Sequence, residues 1–372
     1  MRQLTAAAML LASTAALAYE VKTDSTGHEV RWKGRFVLTV DSRFAKDVRV
    51  DDAVHRVELA LGELQPATRA LELARGSGER LAMGYDAAPG AKNENALVAI
   101  DRDWPFDENA LAVTIVTMNT TTHEIIDADI AFNTDRYRFG DVDDTLSPDA
   151  RLEGGVDDLQ NTLTHELGHA LGLKHNPADA AAVMYPGAVT GEVSKRHLAA
   201  DDRQGLGLLY DAAMADAPPV GCSAAGGGFP WWLGALAVAV IARPRQRRAL
   251  AAVRPALVLG ACVAMPLAAQ AQSVPAPVEA KVLKVATLPP RPGQRVWATR
   301  LTVQVQNCPA TEQCEHQLVV PGGRVGDLEQ VIDDQPTPAV GDAMLVIRVG
   351  QRVERWRKGA TVNAEPITPR SR

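Results

Sequence analysis

The run from His165 to His175, HELGHALGLKH, is where side-chain type and spacing together could do chemistry. His165 and His169 stand four apart, so on a helix both imidazoles leave the same face and can share one ion. Glu166 follows the first histidine and sits beside such an ion without ligating it. Gly172 can adopt a positive φ, which lets the helix stop and the chain reverse. That reversal brings His175 round as a third nitrogen donor. Three histidines leave the fourth tetrahedral position for water, the arrangement of a catalytic rather than a structural zinc site. Zinc then supplies the Lewis acid, water the nucleophile and Glu166 the general base of a hydrolysis. Short His/Glu patterns also arise by chance on solvated helix faces. Here three of the eight histidines fall within eleven residues, with a glycine at the required turn.

A second feature, Val183-Met184-Tyr185-Pro186, follows shortly downstream. A lone methionine is usually core filling, and only its place after the third histidine singles out Met184. Two further stretches stand out: Ile125 to Asn133 (IIDADIAFN) and Leu198 to Tyr210 (LAADDRQGLGLLY). With these four features the chain resembles the metzincin metalloproteases, nearest their matrixin branch, over roughly residues 30–211. The resemblance implies a zinc endopeptidase with one catalytic Zn2+ on His165, His169 and His175, and a peptide or protein as substrate. It implies that Met184 lies in a tight turn beneath the ion, and that Tyr185 and Pro186 form the floor and wall of a specificity pocket. It also implies that the Ile125–Asn133 strand is the edge above the cleft. Ile126, Ala128, Asp129 and Ile130 would there meet an extended substrate by β-strand addition. The Leu198–Tyr210 stretch resembles the closing helix. Tyr185 directly follows Met184, which is not the spacing at which some metzincins supply a tyrosine ligand.

The chain departs from the secreted vertebrate matrixins in two ways. No cysteine precedes Cys222, so a cysteine-switch propeptide is absent. The loop from Thr134 to Asp158 holds no histidine, so the second, structural zinc site is not expected. Asp141, Asp143 and Asp144 are candidate Ca2+ ligands there, with a solvated acidic loop the favoured reading.

The elements that must position the motif follow from periodicity. Val30 to Val40 reads as a strand. Asp51 to Arg75 carries Val54, Val57, Leu61 and Leu64 at helical spacing, with Pro66 as a bend or interruption. Asn95 to Ile100 and Leu111 to Met118 are short β-rich runs. Ile125 to Asn133 alternates Ile126, Ala128, Ile130 and Phe132 against Asp127, Asp129 and Ala131, as a half-exposed strand does. The metal-binding helix is expected after Gly154-Gly155, with Asp157 or Asp158 near its cap, and to run to Gly172. The fold class is therefore α+β: a mixed twisted sheet packed on a zinc-binding helix, followed by membrane-directed segments and a small β-rich domain.

At 372 residues the chain has room for two or more domains, and 46% hydrophobic with 23% charged residues is ordinary globular composition. A net charge of −6 argues against nucleic acid as a partner. Residues 1–18 read as a signal peptide: Arg2, an apolar stretch from Ala6 to Leu17, then Ala16-Leu17-Ala18. The metalloprotease-like domain then covers 19–216 and faces an extracytoplasmic space, secreted or anchored at the cell surface. Residues 217–248 hold a linker, Gly221-Cys222-Ser223, an apolar run at 229–242 and an arginine cluster. That order resembles the sorting tails processed by myxosortases, which makes a sorting peptidase acting near Cys222 an expected partner.

A second apolar segment, 249–271, ends in Ala269-Gln270-Ala271 and reads as an internal signal peptide or, through 255–271, a membrane segment. Two joined secreted proteins and a membrane hairpin both remain open. Residues 272–372 form a small β-rich domain of unknown role, in which Cys308 and Cys314 could pair. His316 is expected at the surface. That domain could be a binding module, with the protease itself among its targets, or a restraint upon it. A non-hydrolytic adhesion protein on the same scaffold is the alternative from another class. The intact Glu166 argues against it.

Overall fold

The computed structural model describes residues 19–211, 278–288, 295–309, 314–332, 338–349 and 352–358. The signal-like segment 1–18, Cys222 with its glycine motif, and both apolar runs, 229–242 and 249–271, lie outside the described residues. Among the described residues no helix is long and apolar enough to cross a membrane.

The chain opens with strand β1 (Arg35–Asp41), a short helix α1 (Phe44–Val48) and helix α2 (Ala53–Leu64), followed by strands β2 (Glu72–Gly78) and β3 (Asn95–Ile100). Helix α2 buries Ala53, Val57, Ala60, Leu61 and Leu64, while Val54 points outward. The helix does not reach Arg75. Gln65, Pro66 and Ala67 tighten into a 3-10 turn, since the Pro66 nitrogen has no hydrogen to continue the helical ladder. The Gln65 side chain then holds the turn, donating to the Leu71 carbonyl (2.9 Å) and accepting from the Leu73 N–H (2.8 Å). The chain leaves this turn as a strand.

Strands β4 (Ala112–Asn119) and β5 (Glu124–Asn133) form a hairpin. Short pieces follow: β6 (Phe139–Gly140), α3 (Pro148–Gly154) and β7 (Asp157–Asp158). Then come helix α4 (Leu159–Ala170), which carries His165, Glu166 and His169, and α5 (Ala200–Tyr210). The C-terminal strands are β8 (Val278–Leu288), β9 (Ala298–Val305), β10 (Glu315–Pro321), β11 (Gly323–Val325), β12 (Leu328–Ile332), β13 (Ala343–Val349) and β14 (Arg352–Lys358). Five of them make a sheet ordered β10-β9-β8-β13-β14, antiparallel throughout. Its core is Ala280, Val282, Leu301, Val303, Val305, Leu318, Val320, Met344 and Val346. His316 shares the inward face of β10 with Leu318 and Val320 and is only 6% exposed, so it is not the surface residue expected. Cys308 and Cys314 are joined in a disulfide.

The large sheet is ordered β11-β12-β4-β5-β3-β1-β2. Strands β1, β2, β3 and β5 are parallel, and β4 runs against them. Two positions of the expectation are corrected here. Strand β5 is not an edge: it lies between β3 and β4. Nor is one of its faces solvated. Ile130 and Phe132 face the main core with Leu97, Leu163 and Leu167. Ala131 joins a second cluster on the opposite face, with Ala96, Val98, Val113, Ile115 and Ile332. A strand covered on both sides buries its acids as well, and Asp127 and Asp129 are 1% and 0% exposed. Asp129 is held by the backbone N–H groups of Gly84 (2.6 Å) and Ala96 (2.7 Å). Burial pushes both carboxyls up from the usual range, and for Asp127 the neighbouring Asp129 charge adds to it.

Candidate metal centre

Helix α4 begins where Asp158, in extended conformation, accepts the Asn161 N–H (2.8 Å), the capping that short acidic side chains provide. The Arg196 guanidinium neutralises that cap, with contacts to Asp158 at 2.9 and 2.5 Å. It also reaches Asp141 (3.0 Å) and the Val142 carbonyl (2.8 Å). Asp144 lies 3.7 Å from it, and Arg56 pairs with Asp141 as well. Two of the three acids considered for calcium are thus neutralised by arginines, and Asp143 caps Thr145.

At the other end the last carbonyls of α4 are satisfied. The Trp32 indole N–H donates to the Ala170 carbonyl (2.8 Å) and the Tyr210 hydroxyl to that of Leu171 (2.7 Å). Gly172 has φ +101°, and a Cβ there would lie 3.1 Å from the Val30 carbonyl oxygen, so glycine is required for the reversal.

The reversal brings three imidazoles together. The Nε2 atom of His175 is 3.2 Å from that of His165 and 3.1 Å from that of His169. The remaining ring nitrogens are committed elsewhere: His165 Nδ1 to the Val183 carbonyl (2.6 Å) and His169 Nδ1 to the Leu173 carbonyl (3.0 Å). A carbonyl can only accept, so in each ring Nδ1 carries the proton and Nε2 presents its lone pair. Burial, helped by the neighbouring His169, Lys195 and His175, holds His165 well below the usual histidine range and therefore neutral. Three imidazole nitrogens converging at these separations fit a tetrahedral zinc ion with one position open.

Glu166 is buried in the wall of the same cleft. The Thr114 hydroxyl of β4 donates to its carboxylate (2.7 Å), which fixes the carboxylate beside the three nitrogens. Beneath α4, Met184 packs so closely that a Cβ on Gly168 would meet its sulfur at 2.3 Å. Asp202 of α5 holds the Met184 turn, accepting the N–H groups of Val183 (2.8 Å) and Met184 (3.2 Å). The Lys195 ammonium donates to the Tyr185 (2.7 Å) and Gly187 (2.6 Å) carbonyls and so pins the opposite wall.

The cleft has a volume of about 360 Å³. Ala110, Leu111 and Ala112 line one side, and Pro186, Gly187 and Ala188 another. Of the substrate-contact residues expected from the sequence, Pro186 lines it. Tyr185 contributes its carbonyl to the Lys195 clamp. Ile126, Ala128, Asp129 and Ile130 do not line it: β4 stands between β5 and the cleft, Ala128 and Ile130 face the main core, and Asp129 is bonded to Gly84 and Ala96. Thr114, Asp202 and Lys195 were missed: each is a single polar residue with no periodic signal around it.

Among the described residues, Asp24, His28 and His123 form a second group of donor side chains. Their atoms are already engaged. Burial alone would raise the Asp24 carboxyl, but bonds from Thr26, His123 and His28 outweigh it and bring the group to about 2. The His28 and His123 rings stack at 4.1 Å with planes 25° apart, and their Nδ1 atoms are bonded to Thr26 and Asp24. The group ties the N-terminal segment to the β4–β5 turn.

Comparison with known proteins agrees with this geometry. Residues 75–211 match the family model for matrixin. The chain is 40% identical over 73 residues to Metalloendoproteinase 2-MMP of Arabidopsis thaliana, covering 20% of this chain and 18% of that protein. It is 38% identical over 79 residues to Metalloendoproteinase 1 of Glycine max, covering 21% and 24%. The chain thus spans about a fifth to a quarter of the length of these relatives. Strand β1 and helix α2 precede the matched region yet belong to the same sheet and core. The chain carries a matrixin domain over residues 75–211.

Proposed function

We propose that residues 19–211 form a zinc-dependent endopeptidase that acts outside the cytoplasm, as the signal-like residues 1–18 suggest. The observation that carries this reading is the convergence of the three Nε2 atoms beside a carboxylate held in place by Thr114. His165, His169 and His175 would hold the ion. When bound, zinc supplies a Lewis acid that polarises a carbonyl and activates water. Glu166 takes the proton from the attacking water and returns it to the departing amine. Thr114 keeps that carboxylate pointed at the reacting atoms. An extended peptide would lie along β4 at Ala110–Ala112, with Pro186–Ala188 walling the side-chain pocket. The Lys195 clamp keeps that wall from moving.

The test is Glu166→Gln in the full chain. Zinc content should stay near one per chain, while cleavage of a protein substrate falls by about 10²–10⁴-fold. Unchanged proteolysis in that variant would refute the assignment.

A further inference from the structure

The strand that lines the metal cleft is also the strand on which the C-terminal region docks. Strand β12 pairs antiparallel with β4, with Leu328 opposite Asn119 and Ile332 opposite Ile115. The next residue of β4 is Thr114, whose hydroxyl holds Glu166. Ala112 at the start of β4, with Leu111 and Ala110 just before it, lines the cleft. One side of one strand is therefore divided between a resident partner and the metal centre.

The docking is built at three levels. Gln330 is fully buried and links three elements. Its amide nitrogen donates to the Thr117 hydroxyl (3.3 Å) and the Arg295 carbonyl (3.2 Å), and its oxygen accepts the Trp297 N–H (2.7 Å). Val331 packs against the main core, and Ile332 belongs to the cluster on the sheet's other face. At the hairpin turn the Asp327 carbonyl accepts both the N–H (2.8 Å) and the hydroxyl (3.0 Å) of Thr120. Arg324 donates to Thr120 and Ser25 (both 3.1 Å), and Glu329 accepts the Ser25 N–H (2.8 Å). A contact with a buried, fully bonded glutamine at its centre is part of the fold.

A strand side accepts only one partner at each position. A substrate that pairs antiparallel with β4 at the cleft lies in line with β12 and must stop short of Ile332, which faces Ile115. We propose that the β11–β12 hairpin is a specificity-determining wall of the protease. By holding β4 from Ile115 to Asn119 it limits how far a bound peptide can extend on that side of the metal centre. This rests on the endopeptidase reading above. The chemical class of substrate it selects is a peptide whose extended stretch is short on the Ile115 side and unrestricted on the Ala110 side.

The experiment uses the zinc-loaded full chain and fluorogenic peptides lengthened one residue at a time on either side of the cleaved bond. Three proteins are compared. They are the parent, a locked chain (Asn119→Cys with Leu328→Cys, facing positions across the pair, cross-linked and verified by mass) and a loosened chain (Arg324→Ala with Glu329→Ala). In the parent and the locked chain, kcat/KM should rise with length on one side only and level off on the other. In the loosened chain the restricted side should gain about tenfold from its longest peptides. The amides of Ile115–Asn119 should there exchange hydrogen faster than in the parent. Equal gains on both sides in the locked chain would overturn the proposal while leaving the protease reading intact. No cleavage of any peptide or protein by the zinc-loaded parent would remove both.

Discussion

Gly168 offers a test in which local propensity and tertiary packing predict opposite signs. It lies inside α4, one residue before His169, with Met184 beneath it. In a free helix, Gly168→Ala stabilises by about 1 kcal/mol, because alanine gives up less backbone entropy than glycine. In this protein the added Cβ would stand 2.3 Å from the Met184 sulfur and 3.2 Å from its terminal methyl. Met184 is 2% exposed and its backbone is held by Asp202, so it has little room to withdraw. Overpacking of this kind costs about 1–3 kcal/mol. The single variant should therefore be destabilised by up to about 2 kcal/mol net. With Met184→Ala as the background the obstacle is gone and part of a cavity is filled, so the same Gly168→Ala change should stabilise by about 1 kcal/mol or more. The assay is urea titration of the zinc-loaded chain with a chromophoric indicator for released zinc, which reports on the site rather than the whole molecule. The coupling from the four proteins should be about 1–3 kcal/mol. A loss of equal size in both backgrounds would show that the Met184 contact is not what requires glycine.

Two other perturbations follow from buried charge. Arg196→Met should cost about 3–5 kcal/mol, since it leaves the Asp158 cap charged and unpaired at the start of α4; denaturation of the zinc-loaded variant would measure this, and a loss under about 1 kcal/mol would contradict it. The Asp127 carboxyl, raised by burial and by Asp129, keeps its proton in the folded chain where the unfolded chain has lost it. The folded state then binds more protons above about pH 4, so this residue's contribution falls as pH rises toward its folded value. Asp127→Asn should flatten that fall and stabilise at pH 8 by more than about 1 kcal/mol relative to pH 5, whereas parallel urea midpoints across that range would refute it.

What was legible in the sequence was local. The His165/His169 spacing, a cap at Asp157 or Asp158 and the Gly172 reversal are local features with steric causes, and the structure has Asp158 as the cap and Gly172 at the reversal. The identity of the strand above the cleft was not legible. Strand β5, with Asp127 and Asp129 among its apolar residues, reads as a half-solvated edge, while Leu111 to Met118 reads only as a short β-rich run. Their places in the sheet are set by chain segments far away. Trp104, Phe106 and Val296 cover the second face of β5, and β12 arrives at β4 from more than two hundred residues downstream. No window of sequence contains that pairing. The same distance hid Thr114 and Asp202, which act on Glu166 and the Met184 turn across 52 and 18 positions.

The candidate metal centre is shaped by these distant supports as much as by its three histidines. Zinc binding requires neutral histidines already aimed at one point, and each protein bond that aims them lowers the ordering left for the ion to do. The aim of His165 depends on the Val183 carbonyl. That carbonyl is placed by a turn whose N–H groups end on Asp202, a residue of α5. Helix α5 in turn anchors α4 through the Tyr210 hydroxyl on Leu171. Helix α5 is thus joined to both ends of the histidine set, through Asp202 to the first histidine and through Tyr210 to the reversal that delivers the third. Burial raises the Asp202 carboxyl, but three backbone N–H bonds oppose that rise, which is the balance expected of a charge kept inside for its acceptors. A carboxylate with that role cannot be exchanged for an apolar side chain of similar size without releasing the Met184 turn and the first ligand together.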